Sequence, residues 1–100
     1  MTTELQRVLA IETTFYGPTN HHGSRIGAKL LGRGERGKPT ARVIVGRRDD
    51  LDVEENHRAA AEACLRKWLE GFSHPTEGHL VSIAGTERGY VFTASTRTVR

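Results

Sequence analysis

At 100 residues, 36% hydrophobic and 27% charged, the chain is sized for one globular domain, residues 1–100, and not for a disordered segment. No apolar run nears the ~20 residues of a helical membrane span, Glu4, Arg7 and Glu12 interrupt the first stretch too early for a signal peptide, and one cysteine, Cys64, excludes an internal disulfide. The net charge of +3 is unevenly spread: Arg25 to Arg48 holds eight basic residues and one acid, a net of +7, while the rest of the chain carries −4. A concentrated positive segment of this kind attracts phosphates or acidic protein surfaces, and the thiol content fits a reducing, cytoplasmic compartment.

Val8 to Tyr16 alternates, with Leu9, Ile11, Thr13 and Phe15 on one side and Ala10, Glu12 and Thr14 on the other, which predicts a strand. Gly17-Pro18-Thr19-Asn20 ends it, and the loop runs on to about Ser24. Ile26, Ala28 and Leu30, alternating with Gly27, Lys29 and Leu31, predict a second strand. Gly32 to Thr40 reads as a hairpin loop, and Ala41, Val43 and Val45 against Arg42 and Ile44 predict a third strand. Pairing about this loop sets Lys29 opposite Arg42, a repulsive couple unless an anion or solvent relieves it.

Asp52 to Glu70 is the clearest element. Val53, His57, Ala60, Ala61, Cys64, Leu65 and Trp68 recur at helical spacing, Asp52 and Glu55 form a capping box, and the early acids suit the helix dipole. Glu54–Arg58 and Glu62–Arg66 stand at supportive spacing, Gly71 ends the helix, and the central alanines let it lie close to a sheet. Ser73 to Gly78 reads as a loop, and Leu80 to Ala84 and Tyr90 to Ala94 as a second hairpin. The expectation is an α+β fold, β-β-β-α-β-β: a mostly antiparallel sheet of about five strands with one helix on one face and the other face open.

Local motifs do not point to catalysis. Gly32 to Lys38 has the spacing of a phosphate-binding P-loop, but Pro39 replaces the metal-binding hydroxyl and a strand follows in place of a helix. Arg88-Gly89-Tyr90-Val91-Phe92 resembles the start of an RNA-recognition motif, yet Ser95 stands where the last aromatic belongs, so Tyr90 and Phe92 are expected to pack in the sheet. The histidines, including His21 and His22, lack metal-ligand spacing, so no metal site and no cofactor are expected. His57 is expected to pack with its ring nitrogens hydrogen-bonded nearby, and Cys64 to be a small buried residue. What remains is a basic binding face, Arg25, Lys29, Arg33, Arg36, Lys38, Arg42, Arg47 and Arg48, beside a polar loop whose Asn20, His21, His22 and Ser24 either hold an anion or stabilise the turn itself.

The strings Thr14-Phe15-Tyr16-Gly17-Pro18-Thr19-Asn20, Gly23-Ser24-Arg25-Ile26, Glu55-Asn56-His57-Arg58-Ala59-Ala60-Ala61 and Gly89-Tyr90-Val91-Phe92 together resemble a group of small proteins encoded in bacteriophages, prophages and other mobile elements. The resemblance implies an accessory protein that is not an enzyme and that binds a host protein or ribonucleoprotein complex, of the counter-defence, anti-CRISPR type. The alternative partner for the same face is DNA or RNA. A monomer or a homodimer is expected; exposed Leu31 and Ile44 would favour a dimer through the open face.

Overall fold

The computed structural model describes residues 6–19, 23–31, 41–70 and 76–98. Strands β1 (Gln6–Tyr16), β2 (Arg25–Leu31) and β3 (Arg42–Gly46) precede helix α1 (Val53–Glu70), and β4 (Thr76–Gly85) and β5 (Gly89–Thr98) follow it. The strands form one antiparallel sheet in the order β3-β2-β1-β5-β4. This is the expected α+β architecture, with the first strand at its centre.

The alternation read along the strands sorts residues between two faces. Ile11, Ile26, Ala28, Leu30, Phe92 and Ala94 are buried on the face that meets Ala60, Ala61, Cys64 and Leu65 of α1. Ala60 and Ala61 are wholly inaccessible, so the small side chains bring the helix backbone close to the sheet as their sequence position predicts. Lys29 pairs with Arg42 in the expected register, and the Leu30 amide donates to the Ala41 carbonyl at 3.0 Å.

The helix start is built by its predicted cap. The Glu55 amide donates to Asp52 Oδ1 at 2.7 Å, and the Asp52 amide donates to Glu55 Oε1 at 3.4 Å. The helical periodicity errs at one residue: Val53, expected on the apolar face, is 59% exposed. Asn56 is buried in the first turn instead, because its amide is consumed by the backbone of the preceding loop. The predicted helix pairs do not close either. Lys29–Glu12 and Arg48–Asp50 pair instead, and helix-surface pairs that stay open are ordinary where exposed pairs barely repay side-chain entropy.

The second hairpin is longer than its apolar runs suggest. β4 begins at Thr76, where a loop was expected, and β5 continues to Thr98. Gly78 belongs to the strand because the helix crosses it: an added Cβ would lie 3.0 Å from Thr96 Cγ2, 3.2 Å from Leu69 Cδ1 and 3.4 Å from Leu65 Cδ1. A register shift between Leu80 and Ser82 leaves Val81 exposed on this edge strand and interrupts its pairing surface. At the opposite edge, Lys67 Nζ donates to the Arg42 carbonyl at 2.9 Å, so the helix covers part of β3.

Candidate functional site

The open face of the sheet carries part of the expected basic surface. Ile26, Ala28 and Leu30 face the helix, so Arg25, Gly27, Lys29 and Leu31 face away from it; likewise Arg42 and Ile44 face away on β3. Lys29 does not confront Arg42 unrelieved. Glu12, its partner across β1, places Oε1 3.3 Å from Lys29 Nζ. The internal carboxylate answers the repulsion that the sequence raised, leaving Arg25 and Arg42 as the cations of this face without an ion-pair partner among the described residues. Arg25 Nε is buried and meets no acceptor.

Beside Arg25 lies Tyr16, its neighbour across the β1–β2 ladder. An added Cβ at Gly27 would lie 2.8 Å from Tyr16 Cε2, so the ring rests on the glycine. Tyr16, Leu31 and Ile44 are 36%, 37% and 50% exposed. An exposed aromatic and two exposed aliphatic side chains thus share the face with two arginines.

The other predicted cations go elsewhere. Arg48 is not on the open face: it sits in the loop before α1 and grips Asp50 with both arms of its guanidinium, Nε to Oδ1 at 3.1 Å and Nη2 to Oδ2 at 2.7 Å. The Arg48 hydrogen bonds hold the Asp50 carboxyl below its ordinary range. Arg47 follows β3, its amide donating to the Ser24 carbonyl at 3.0 Å, and it borders two openings, a cleft on the helix side and a hollow shared with Arg25. A run that is continuous in sequence is therefore divided by strand alternation and by the turn into α1. Arg33, Arg36 and Lys38, and Asn20, His21 and His22 of the polar loop, lie outside the described residues. Ser24 is half-buried and helps line a hollow with Arg25, Ile44, Arg47 and Asp49.

The cleft itself was not read from the sequence. It measures about 850 Å³ and opens between the end of β1, the start of α1 and the β4–β5 turn. Phe15, Ile26, Val53 and Tyr90 supply apolar walls, Arg47 and Arg88 stand in the lining, and His57 and Gly89 meet there. Phe15 is 46% exposed although it alternates with the core residues, because it lies at the opening.

His57 is fixed by three chain segments. Its Nδ1 is 2.7 Å from Thr13 Oγ1, which also receives the Tyr90 amide at 3.3 Å, and the Tyr90 ring meets the imidazole edge-on at 4.8 Å between centroids. Burial disfavours the charged ring and lowers its pKa from the ordinary value of 6.5. Gly89 is required at this junction: a Cβ there would lie 2.0 Å from the Thr13 carbonyl oxygen and 3.1 Å from His57 Cε1. The expectation that His57 packs with a bonded ring nitrogen holds. Phe92 is buried and Tyr90 is half-buried against the core, also as expected.

Asn56 organises the neighbouring loop. Its Oδ1 accepts from the Arg48 amide at 2.8 Å, while Nδ2 donates toward the carbonyls of Arg48, Leu51 and Asp52 at 3.0, 3.1 and 3.0 Å. Cys64 is fully buried, and burial raises its thiol pKa, so it is a poor nucleophile in the folded protein. Among the described residues no helix is long and apolar enough to cross a membrane. No protein-family model matches the chain, and no curated protein or solved structure is found similar to it.

Proposed function

We propose that this chain is a non-enzymatic binding protein that docks onto an acidic surface of a larger complex through the open face of β1, β2 and β3. The supporting observation is the combination on one uncovered sheet face of Arg25 and Arg42 with exposed Tyr16, Leu31 and Ile44. Arginine and tyrosine beside aliphatic side chains is the composition of binding hot spots, in which a desolvated apolar centre adds affinity and cations select the partner. The resemblance to mobile-element proteins gives the partner its setting: a host protein or ribonucleoprotein complex, with inhibition of a counter-defence kind as the outcome.

Pull-down from a bacterial lysate tests this, with nuclease treatment and with wild-type protein and an Arg25→Glu/Arg42→Glu variant as paired baits. The reading expects a defined multi-subunit complex that survives nuclease and is lost with the variant. Equal capture by both baits refutes the docking face. Direct binding of DNA or RNA is the second reading, favoured by exposed Tyr16 standing opposite Arg25 across the β1–β2 ladder. Base-stacking platforms use several aromatics, and Tyr16 is the one aromatic on this face among the described residues. Affinity that falls steeply with salt would move the assignment to nucleic acid.

A further inference from the structure

The helix-side cleft has features that core packing does not require. Large apolar side chains normally withdraw from water, yet Phe15 and Val53, 46% and 59% exposed, both border this opening. Arg47 and Arg88 come from stretches far apart in the chain, β3's exit and the β4–β5 turn, and are brought to the same cleft. Neither forms an ion pair among the described residues. Glu87 is the one acid in the lining, so the cleft carries a net positive charge. At about 850 Å³ it lies within the ordinary range for small-molecule sites, with predominantly apolar walls and a few convergent polar groups.

The floor is rigid. His57 is held through Nδ1 by Thr13, and Thr13 is held in turn by the Tyr90 backbone, so two strands and the helix, distant in sequence, fix one imidazole. Whichever tautomer the ring adopts, Nδ1 is engaged by Thr13, and Nε2 is the ring nitrogen left to meet a ligand. Gly89 keeps the floor open beside it, since any side chain there would strike Thr13 and His57.

We propose that this cleft binds a small organic anion with a flat apolar body. Its body lies against Phe15, Val53 and Tyr90, its acidic group meets Arg47 and Arg88, and His57 bonds an edge of the body from the floor. Tyr16 borders both this cleft and the docking face, but the cleft's arginines differ from those of that face, so charge reversal at each pair tests the two separately.

Anilinonaphthalene sulfonate, a flat apolar fluorophore with one anionic group, is a suitable probe, and N-phenyl-1-naphthylamine is its neutral counterpart. The full chain titrated with the sulfonate should show saturable binding at one probe per protein. The probe should shift the NMR signals of the His57 ring and the Gly89 amide and leave the Lys29 amide on the open face in place. Arg47→Glu/Arg88→Glu changes two exposed side chains, so its thermal melt should match wild type while sulfonate affinity falls at least about tenfold, the loss expected from replacing charge-assisted contacts by repulsion. The neutral probe should not respond to the charge reversal. Three results would overturn the proposal: sulfonate binding that does not saturate, shifts centred on the open face, or equal affinity in a double variant that melts like wild type. Arg25→Glu/Arg42→Glu should bind the probe as wild type does, which separates this site from the docking face.

Discussion

Gly89→Ala tests the junction of β1, β5 and α1 with one methyl group. The backbone at Gly89 is not in the left-handed region, so the cost is one of space alone. The new Cβ would lie 2.0 Å from the Thr13 oxygen and 2.8 Å from its carbonyl carbon. A carbon and a carbonyl oxygen in contact sit about 3.3 Å apart or more, so β1 and β5 must separate locally by more than about 1 Å. Neither neighbour gives way easily: Thr13 is backbone in the central strand, and His57 Cε1 closes the other side at 3.1 Å. Overpacking of this kind costs about 1–3 kcal/mol, and stretching the adjoining Phe15 amide to Arg88 carbonyl bond, now 3.1 Å, adds about 1 kcal/mol. A total of about 3 kcal/mol lowers the melting temperature of a domain this size by roughly 12–24 °C. Gly85→Ala, in the same turn but with no atom within 4 Å of the new Cβ, should stay within about 0.5 kcal/mol of wild type. Thermal denaturation followed by circular dichroism measures both. A Gly89→Ala melt within about 4 °C of wild type means a cost under about 1 kcal/mol and refutes the crowding argument.

Asn56→Ala removes the acceptor for the Arg48 amide and the donor shared by three carbonyls, and should cost about 2–4 kcal/mol in urea denaturation; a loss below about 1 kcal/mol would mean that solvent replaces these bonds freely. His57 is held neutral by burial, its folded pKa below the unfolded value of 6.5. The unfolded chain therefore binds the extra proton first, so the stability due to this ring is complete above pH 6.5 and declines as pH falls from there through the folded pKa. Urea midpoints measured across that window should fall with pH in wild type and fall less in His57→Leu; parallel slopes would show that His57 carries none of the dependence. Cys64 should react with a thiol reagent at least about 100-fold more slowly in the folded protein than in urea, because opening of the core must precede attack. Rapid labelling of the native protein would contradict its burial.

The sequence made some of this structure legible because the relevant contacts are local. The capping box of Asp52 and Glu55 and the pairing of Lys29 with Arg42 involve neighbours or a single hairpin, so spacing alone predicts them. Asn56 escaped because a polar residue in a helical window reads as surface until the loop that consumes its hydrogen bonds is in place. The start of β4 was masked by Gly78, whose missing side chain signals the crossing of Leu65 and Leu69 only once the helix is positioned. The basic run from Arg25 to Arg48 looked like one feature, yet the turn into α1 ties Arg48 to Asp50 and sets Arg47 at the sheet's end, where it borders both the helix-side cleft and a hollow shared with Arg25. The cleft was least legible. Phe15, Arg47, His57 and Arg88 lie in four separate stretches, and no local pattern says that they meet.

The strand order also dictates a sequence of events during folding. β1 is the centre of the sheet, yet one of its two partners is the last strand, with Gln6 opposite Arg97. While the chain is being synthesised, that side of β1 stays bare until residues 89–98 have emerged, and the three-way tie of Thr13, His57 and Tyr90 cannot form earlier. Pairings across so much intervening chain carry a large loop-closure cost and slow folding. The β4–β5 hairpin is local in sequence, so its pairing needs no distant partner, and docking it as a unit would shorten the time that β1 offers an open edge to other chains. β1, the earliest of the described strands, is thus flanked on both sides only once β5 has been made.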